Sequence, residues 1–414
     1  MNATDPARGA QVRLFVGKGG AGRTTIAAAT AVALAEQGQR VLLASVDQAH
    51  SLSEVLDCSV ARGAETQVAA GLDAVEVDTL ALLEERYRGL AMLLALGGAH
   101  AHGVQLTDLA PEELTGLPGV EELLGLGEIV RLASQGRWDV IVVDCPPTAD
   151  ALRALTVPES VTGYVERVWP QHRRVTAATG SDARLAFVVA MVDRFLDATA
   201  AVSTLLTDRS RTSVRVVTSA DHVGFAETRR VLSAAALAGL RVDAVVVNKL
   251  LPQLDSDGTP SGVADWYRTR RTAQQTALAE FRSGSGGVTV LSTDELPVEP
   301  IGWDALGAVA RTVYPAAVDV SEVCRSDRAP VLVALESGSG DRESVYTMRM
   351  HLPLVDSGTL TLGRVEDDLL VGADGRRRRV RLASVLRRCV VRDAILDGTE
   401  LVVRFVPDPA VWPQ

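Results

Sequence analysis

The stretch Gly17-Lys18-Gly19-Gly20-Ala21-Gly22-Arg23-Thr24-Thr25 constrains this chain more than any other. It follows an apolar, strand-like run at 12–16 and precedes an Ala-rich, helix-like run at 26–35. Strand, glycine-rich turn and helix together are the context of a phosphate-binding loop. Glycine lets the backbone curl until successive N–H groups face one anion, and the helix N-terminus adds partial positive charge at the same spot. The spacing sets Gly19, Gly20, Ala21, Gly22, Arg23, Thr24 and Thr25 around a nucleotide's phosphates, with the Thr24 hydroxyl on Mg²⁺. Such loops carry Lys before the Thr pair. Here that position is Arg23, and a second basic residue, Lys18, stands near the start of the loop.

A loop of this kind belongs to an α/β fold, and the chain beyond it has the matching pattern. Between 12 and 314, β-branched runs at 12–16, 41–46, 74–77, 138–144, 215–218, 244–248 and 289–292 alternate with longer Ala/Leu-rich stretches. Several of these runs are apolar throughout, as strands covered on both faces are. The helices between them imply βαβ crossovers and a mostly parallel sheet flanked by helices, the P-loop NTPase arrangement. The character changes at 315–342, where Pro315, Pro330 and Gly338-Ser339-Gly340 read as a linker. From 343 to 408 the pattern is short strands and tight turns: runs at 347–352, 359–362, 369–371, 378–381 and 401–405, with Gly372-Ala373-Asp374-Gly375 as a hairpin turn. This predicts a small all-β domain. Residues 1–11 read as a disordered N-terminus and 409–414 as a C-terminal tail.

Composition narrows the function classes. The chain has 414 residues, 47% hydrophobic and 23% charged, so it can bury a large core, and with 4% aromatics that core rests on Ala, Val and Leu. A net charge of −10 argues against nucleic acid as a partner. No apolar run of about 18 residues is present, which predicts no membrane span. The polar start predicts no signal peptide. Cys58, Cys145, Cys324 and Cys389 are scattered without a Cys-x-x-Cys pair, which fits a reducing cytoplasm and gives no zinc motif. Arg376–Arg379 reads as a solvated turn, or else as a contact for acidic lipid or partner surfaces.

Three further residues complete a nucleotide constellation. The run at 41–46 ends in Asp47, where nucleotide sites form at the carboxyl ends of strands. Asp47 there positions or deprotonates an attacking water, or else caps the following turn. Trp138-Asp139-Val140-Ile141-Val142-Val143-Asp144 is a Walker B pattern, with Asp144 holding Mg²⁺ through a water. Cys145-Pro146-Pro147-Thr148 follows as a stiff turn able to sense a γ-phosphate. Val245-Val246-Val247-Asn248 ends in an amide that can read adenine or can serve as an ordinary strand end.

With these residues in view, the chain resembles the arsenite-pump and tail-anchored-protein-targeting ATPases, relatives of the partition and septum-site ATPases. Lys18 matches the early "signature" lysine of that family's deviant phosphate loop. Asp47-Gln48-Ala49-His50 matches its first switch, Asp-Pro-Ala-His, at all but the second position. Asp144 to Thr148 matches the second switch, Asp-x-x-Pro-Thr, which includes Pro147, and Pro118-Gly119-Val120-Glu121-Glu122 matches a Pro-Gly-x-x-Glu segment. Asn248 matches the adenine Asn, and Glu295-Leu296-Pro297 resembles a later adenine-side loop. The C-terminal β-domain is similar to the α-crystallin-like (small-heat-shock-like) sandwich on some bacterial members. The resemblance implies ATP and Mg²⁺ as cofactors and a homodimer, or a heterodimer with a paralogue, in which Lys18 reaches the partner's phosphates much as an arginine finger does. It implies Asp47 and Lys18 as catalytic residues and Asp47, His50, Asp144, Pro147 and Thr148 as switch residues. Some targeting members use a zinc-bridging Cys-x-x-Cys after the position of Pro252. Residues 253–270 contain no Cys, so no zinc is expected.

The departures matter as much. Arg is a planar fork where Lys is a point charge, so Arg23 keeps the charge but predicts slow turnover, unless slack in the loop accommodates the fork. Gln48 lacks the fixed φ of the usual proline, which predicts a less stiff first switch. Arsenite capture needs three converging thiolates, and no Cys has neighbours that suggest such a site. The expectation is a cytoplasmic, nucleotide-driven dimeric ATPase that controls binding of a client or partner protein. Its rivals are a non-hydrolysing, nucleotide-stabilised scaffold or holdase, and the energising subunit of an anion efflux pump, which needs a membrane partner. Leu90–Leu96 and Phe187–Leu206 are apolar stretches that offer client surface or pack as core.

Overall fold

The apolar runs at 12–16, 41–46 and 138–144 form adjacent parallel strands, and their register sets the site. The structure, a computed structural model, describes residues 9–96, 119–254, 262–315 and 331–412. The chain divides into two compact units, Met1–Ser213 with Val298–Pro315, and Val214–Pro297 with Ala316–Gln414. The first contains β1 (Gln11–Gly17), β2 (Val41–Ser45), β3 (Thr66–Ala69), β4 (Leu72–Glu76) and β5 (Val140–Asp144). β5 pairs in parallel with both β1 and β2, and β2 with β4, while β3 runs antiparallel to β4. Every residue of β2 and β5 is buried, which is why these segments read as unbroken apolar runs. Polar β3 was invisible in the sequence because it lies at the sheet edge, half exposed.

The helices of this unit are α1 (Arg23–Glu36), α2 (Leu52–Leu56), α3 (Thr79–Leu96), α4 (Val120–Ser134), α5 (Thr148–Val168), α6 (Gln171–Ala178) and α7 (Ala183–Thr207), with a last helix at Trp303–Val313. Helix α1 is buried almost all round, and its alanines allow close approach to that last helix. The buried Thr30 hydroxyl of α1 is satisfied, lying 2.7 Å from the Tyr314 hydroxyl just past that helix.

The second unit carries β6 (Thr212–Ser219), α8 (His222–Leu237), β7 (Val242–Leu250), α9 (Gly262–Ser283) and β8 (Thr289–Asp294), with β6, β7 and β8 parallel. The helix at Trp303–Val313 is therefore α10 in chain order. The large sheet has eight strands in the order β3-β4-β2-β5-β1-β6-β7-β8. Among the described residues no helix is long and apolar enough to cross a membrane.

The all-β part consists of β9 (Val331–Ser337), β10 (Val345–His351), β11 (Thr361–Val365), β12 (Asp368–Ala373), β13 (Arg376–Arg381), β14 (Cys389–Asp397) and β15 (Glu400–Pro407). They form a four-stranded sheet, β14-β15-β10-β9, and a three-stranded sheet, β11-β12-β13, all antiparallel. Asp374 and Gly375, both at positive φ, make the two-residue turn between β12 and β13, as the sequence predicts. The linker reading of 315–342 needs correction. Residues 331–337 form β9, an edge strand on β10. Gly338 and Gly340, at φ near +90°, belong to the turn that follows it. β14 also escaped notice, because charged residues and a register shift between Val391 and Asp393 break its alternation. Residues 1–8, the linker at 316–330, Pro118, His100, His102 and Cys324 lie outside the described residues, as do the side chains of Leu90–Leu96.

The β-sandwich shares its core with α8. Leu237, 3% exposed, joins a cluster with Met348, Met350, Leu369, Val371 and Phe405. The arginine run is not a solvated turn either. It is strand β13, whose Arg378 guanidinium lies so close to Gly239 that a Cβ there would stand 2.8 Å from it. Gly239 also has φ +74°, so this close approach needs glycine on both counts. Replacing Leu237 with Ala should lower stability by about 2–4 kcal/mol, a core truncation. Denaturant unfolding followed by tryptophan fluorescence, to which Trp412 contributes with its ring tilted against Tyr346 in the sandwich, reads this. An unchanged midpoint contradicts the shared core.

Candidate functional site

β1 ends at Gly17 and α1 begins at Arg23, so residues 18–22 make the whole turn. Gly20 and Gly22 adopt φ of +78° and +82°, where a side chain is strained. Gly22 is the N-cap of α1 and supplies no side-chain cap, so the first-turn N–H groups are directed at whatever anion occupies the loop. The register pairs Phe15 with Asp144 and Ser45 with Asp144. Asp144 thus stands at the carboxyl end of the central strand, between the end of β1 and the switch that follows β2.

Arg23, Thr24, Asp47 and Asp144 meet there. The Arg23 Nε–H donates to Asp144 Oδ1 at 2.7 Å, and an Nη–H of the same guanidinium donates to Asp47 Oδ2. The Thr24 hydroxyl donates to Asp144 Oδ2 at 2.7 Å. The Ala49 N–H donates to Asp47 Oδ1 at 3.1 Å. All four carboxylate oxygens therefore already accept a hydrogen bond. Side-chain exposure is 7% for Arg23, 0% for Asp144 and 14% for Asp47. Burial alone would lower the Arg23 pKa, but the Asp144 and Asp47 carboxylates outweigh it and leave the guanidinium firmly charged. Burial pushes Asp144 above the usual carboxylate range against the pull of Arg23.

The other sequence-predicted residues fall as follows. Lys18 is half-buried in the loop and forms no ion pair among the described residues. His50 sits at φ +48° with Nδ1 3.9 Å from Glu76 Oε2, and its N–H closes the turn onto the Asp47 carbonyl. Pro147 is the N-cap of α5 and Thr148 its first residue. The Thr148 hydroxyl is buried and makes no hydrogen bond among the described residues, a donor that a phosphate oxygen at this turn would satisfy. In the second unit, Asn248 is 8% exposed near the end of β7, and its Oδ1 accepts from the Lys249 N–H. Pro297 is exposed in the loop after β8, which the Glu295 N–H ties to the Leu250 carbonyl.

One functional contact was missed by sequence reasoning. Gln48, the residue in place of the usual proline, donates from Nε2 to Glu121 Oε2 on α4. The Pro-Gly-x-x-Glu segment carried the signal, but nothing in its spacing linked it to the first switch. The two segments and the start of α5 enclose a cavity of about 340 Å³ lined by Gln48, Glu121, Glu122, Pro147 and Arg153.

The residues fit the groups that the loop implies. A hydroxyl and a carboxylate already in contact, Thr24 and Asp144, suit a hard cation that keeps most of its water. Uncapped N–H groups suit phosphate. Thiol chemistry is a poor match. Burial raises the Cys145 pKa to about 12, and Cys389 is buried as well. Among the described residues no group of three or more His, Cys, Asp or Glu gathers into a metal site. Alkylation of folded protein at pH 8 should modify Cys145 at least about 100-fold more slowly than a free thiol, since thiolate is the reactive form. Peptide mapping after iodoacetamide treatment reads this, and fast modification of Cys145 contradicts the buried placement.

Comparison with known proteins identifies relatives of both parts of the chain. Residues 10–315 match the anion-transporting ATPase family, and residues 343–405 match the HSP20-like domain found in such ATPases. Protein Rv2184c of Mycobacterium tuberculosis is 44% identical, over 98% of both chains. An uncharacterised protein of Streptomyces coelicolor, SCO2128, is 34% identical over 97% of this chain and 98% of its own. A putative arsenical pump-driving ATPase of Chlorobaculum tepidum is 28% identical over 95% of this chain and 96% of its own.

Proposed function

The chain belongs to the anion-transporting ATPase family, and from that membership and the site geometry we propose that it is a nucleotide-driven dimeric switch that binds ATP with Mg²⁺ and hydrolyses it slowly. The observation that carries this reading is the meeting of Arg23, Thr24, Asp47 and Asp144 at the mouth of an uncapped phosphate loop. Bound Mg²⁺ would neutralise charge on the phosphates. Thr24 and Asp144 hold its water shell, the loop N–H groups orient the phosphates, and Asp47 orients the attacking water. Thr148 and Pro147 carry the presence of the γ-phosphate into α5. Lys18, half-buried and without an ion pair among the described residues, would serve the phosphates of a second copy or a paralogue. Asn248 and Pro297, in the second unit, are the residues that the family resemblance assigns to the adenine.

The output of the switch is a client or partner protein. Helices α5 and α7 present an apolar groove of about 360 Å³, lined by Tyr164, Val168, Trp169, Met191 and Phe195. Tyr164 is 63% exposed and Val168 62%, more than core packing explains. The start of α5 is the second switch itself, so one helix joins nucleotide to groove. A non-hydrolysing scaffold is the second reading, favoured by the engagement of Arg23 with both carboxylates. Arsenite pumping has less support, because Cys145 and Cys389 are buried and no thiol cluster exists among the described residues.

Equilibrium ATP binding and single-turnover hydrolysis of the native chain, Arg23→Lys and Asp47→Asn test the proposal. Asp47→Asn should keep ATP affinity and lose about 100-fold or more in rate, the contribution of a positioned acid–base group. Arg23→Lys should hydrolyse faster than the native chain. Native binding without turnover, restored by Arg23→Lys, selects the scaffold reading. No ATP binding by any form rejects the switch altogether.

A further inference from the structure

Resting on the reading of this loop as an ATP site, we infer that Arg23 is a resident counter-cation that latches the first switch to the Mg²⁺-binding strand end, and that the metal–nucleotide complex docks by freeing Asp47 from it. Arg23 is the first residue of α1, yet its side chain turns to the switches and joins the loop after β2 to the end of β5. Lysine cannot make this bridge in the same way. Its ammonium is a single nitrogen on a flexible stem, whereas the guanidinium offers separate edges at Nε and Nη to two carboxylates at once.

Charge balance makes the latch conditional. Two carboxylates and one guanidinium leave a single negative charge in a site where Asp144 is 0% exposed. A dication beside Thr24 and Asp144 reverses that balance and repels the guanidinium, strongly so in a nearly dry site. Arginine has five N–H donors, and the two bonds to Asp144 and Asp47 leave others to donate to phosphate oxygens as new partners. Asp47 is then released to orient water only when metal and nucleotide are both present. The Gln48–Glu121 bond restrains the same turn from its other side. Arg23 is thus a positioning residue for Asp47. A further consequence concerns affinity: because the resident cation already compensates Asp144, Mg²⁺ adds less to ATP binding here than it does in a lysine loop.

Removing the charge outright leaves buried Asp144 uncompensated, so Arg23→Lys is the informative variant. The full chain, free of nucleotide and treated with chelator, is compared by hydrogen exchange over the peptide spanning 46–52, and by calorimetric ATP titration with and without Mg²⁺. The native first switch should exchange about tenfold more slowly than that of Arg23→Lys. Mg²⁺ should raise native ATP affinity by less than about threefold and that of Arg23→Lys by about tenfold or more, a coupling of ordinary size. Equal exchange in the two proteins overturns the latch, as does a native Mg²⁺ dependence that matches or exceeds the variant's. Slow native exchange with no ATP binding in either protein upholds the latch and rejects the ATP reading, so the two failures are distinct.

Discussion

One buried guanidinium holds this site together. Arg23 spans Asp47 and Asp144, residues that belong to two different strand ends, and among the described residues no other cation is paired with either. Burying two carboxylates this close without a cation would leave at least one protonated. The exchange of lysine for arginine therefore does more than widen a phosphate contact. It converts a loop residue that answers only to nucleotide into one that also answers to the switches.

The β-sandwich has a comparable anchor. Leu237 closes the core of a domain whose strands come more than ninety residues later, and Arg378 packs against Gly239 just past the end of the same helix. α8 lies between β6 and β7, and β7 carries Asn248 near its end. The core of the appended domain is therefore shared with the helix that precedes β7.

Much of this was legible in the chain. The phosphate loop, the parallel strands and the Asp374-Gly375 hairpin follow from glycine conformation and from apolar runs that no polar residue interrupts. Edge strands were not legible. β3 is short and polar, β9 is bracketed by Pro330 and glycines as a linker would be, and β14 loses its alternation at a bulge. At the site, residue types and their places on strand ends were readable because each motif is local. The direction taken by Arg23 was not, since it depends on carboxylates 24 and 121 positions away. The Gln48–Glu121 bond was hidden for the same reason: both segments were recognisable singly, and only folding brings them together.

Crystal structures of the nucleotide-free protein and of its ATP–Mg²⁺ complex test the central claim most directly. The account predicts an Arg23 guanidinium within hydrogen-bond reach of both Asp47 and Asp144 in the free protein, and a guanidinium moved onto phosphate oxygens with Asp47 released in the complex. A guanidinium that bridges both carboxylates unchanged in the complex, or that touches neither in the free protein, would contradict it.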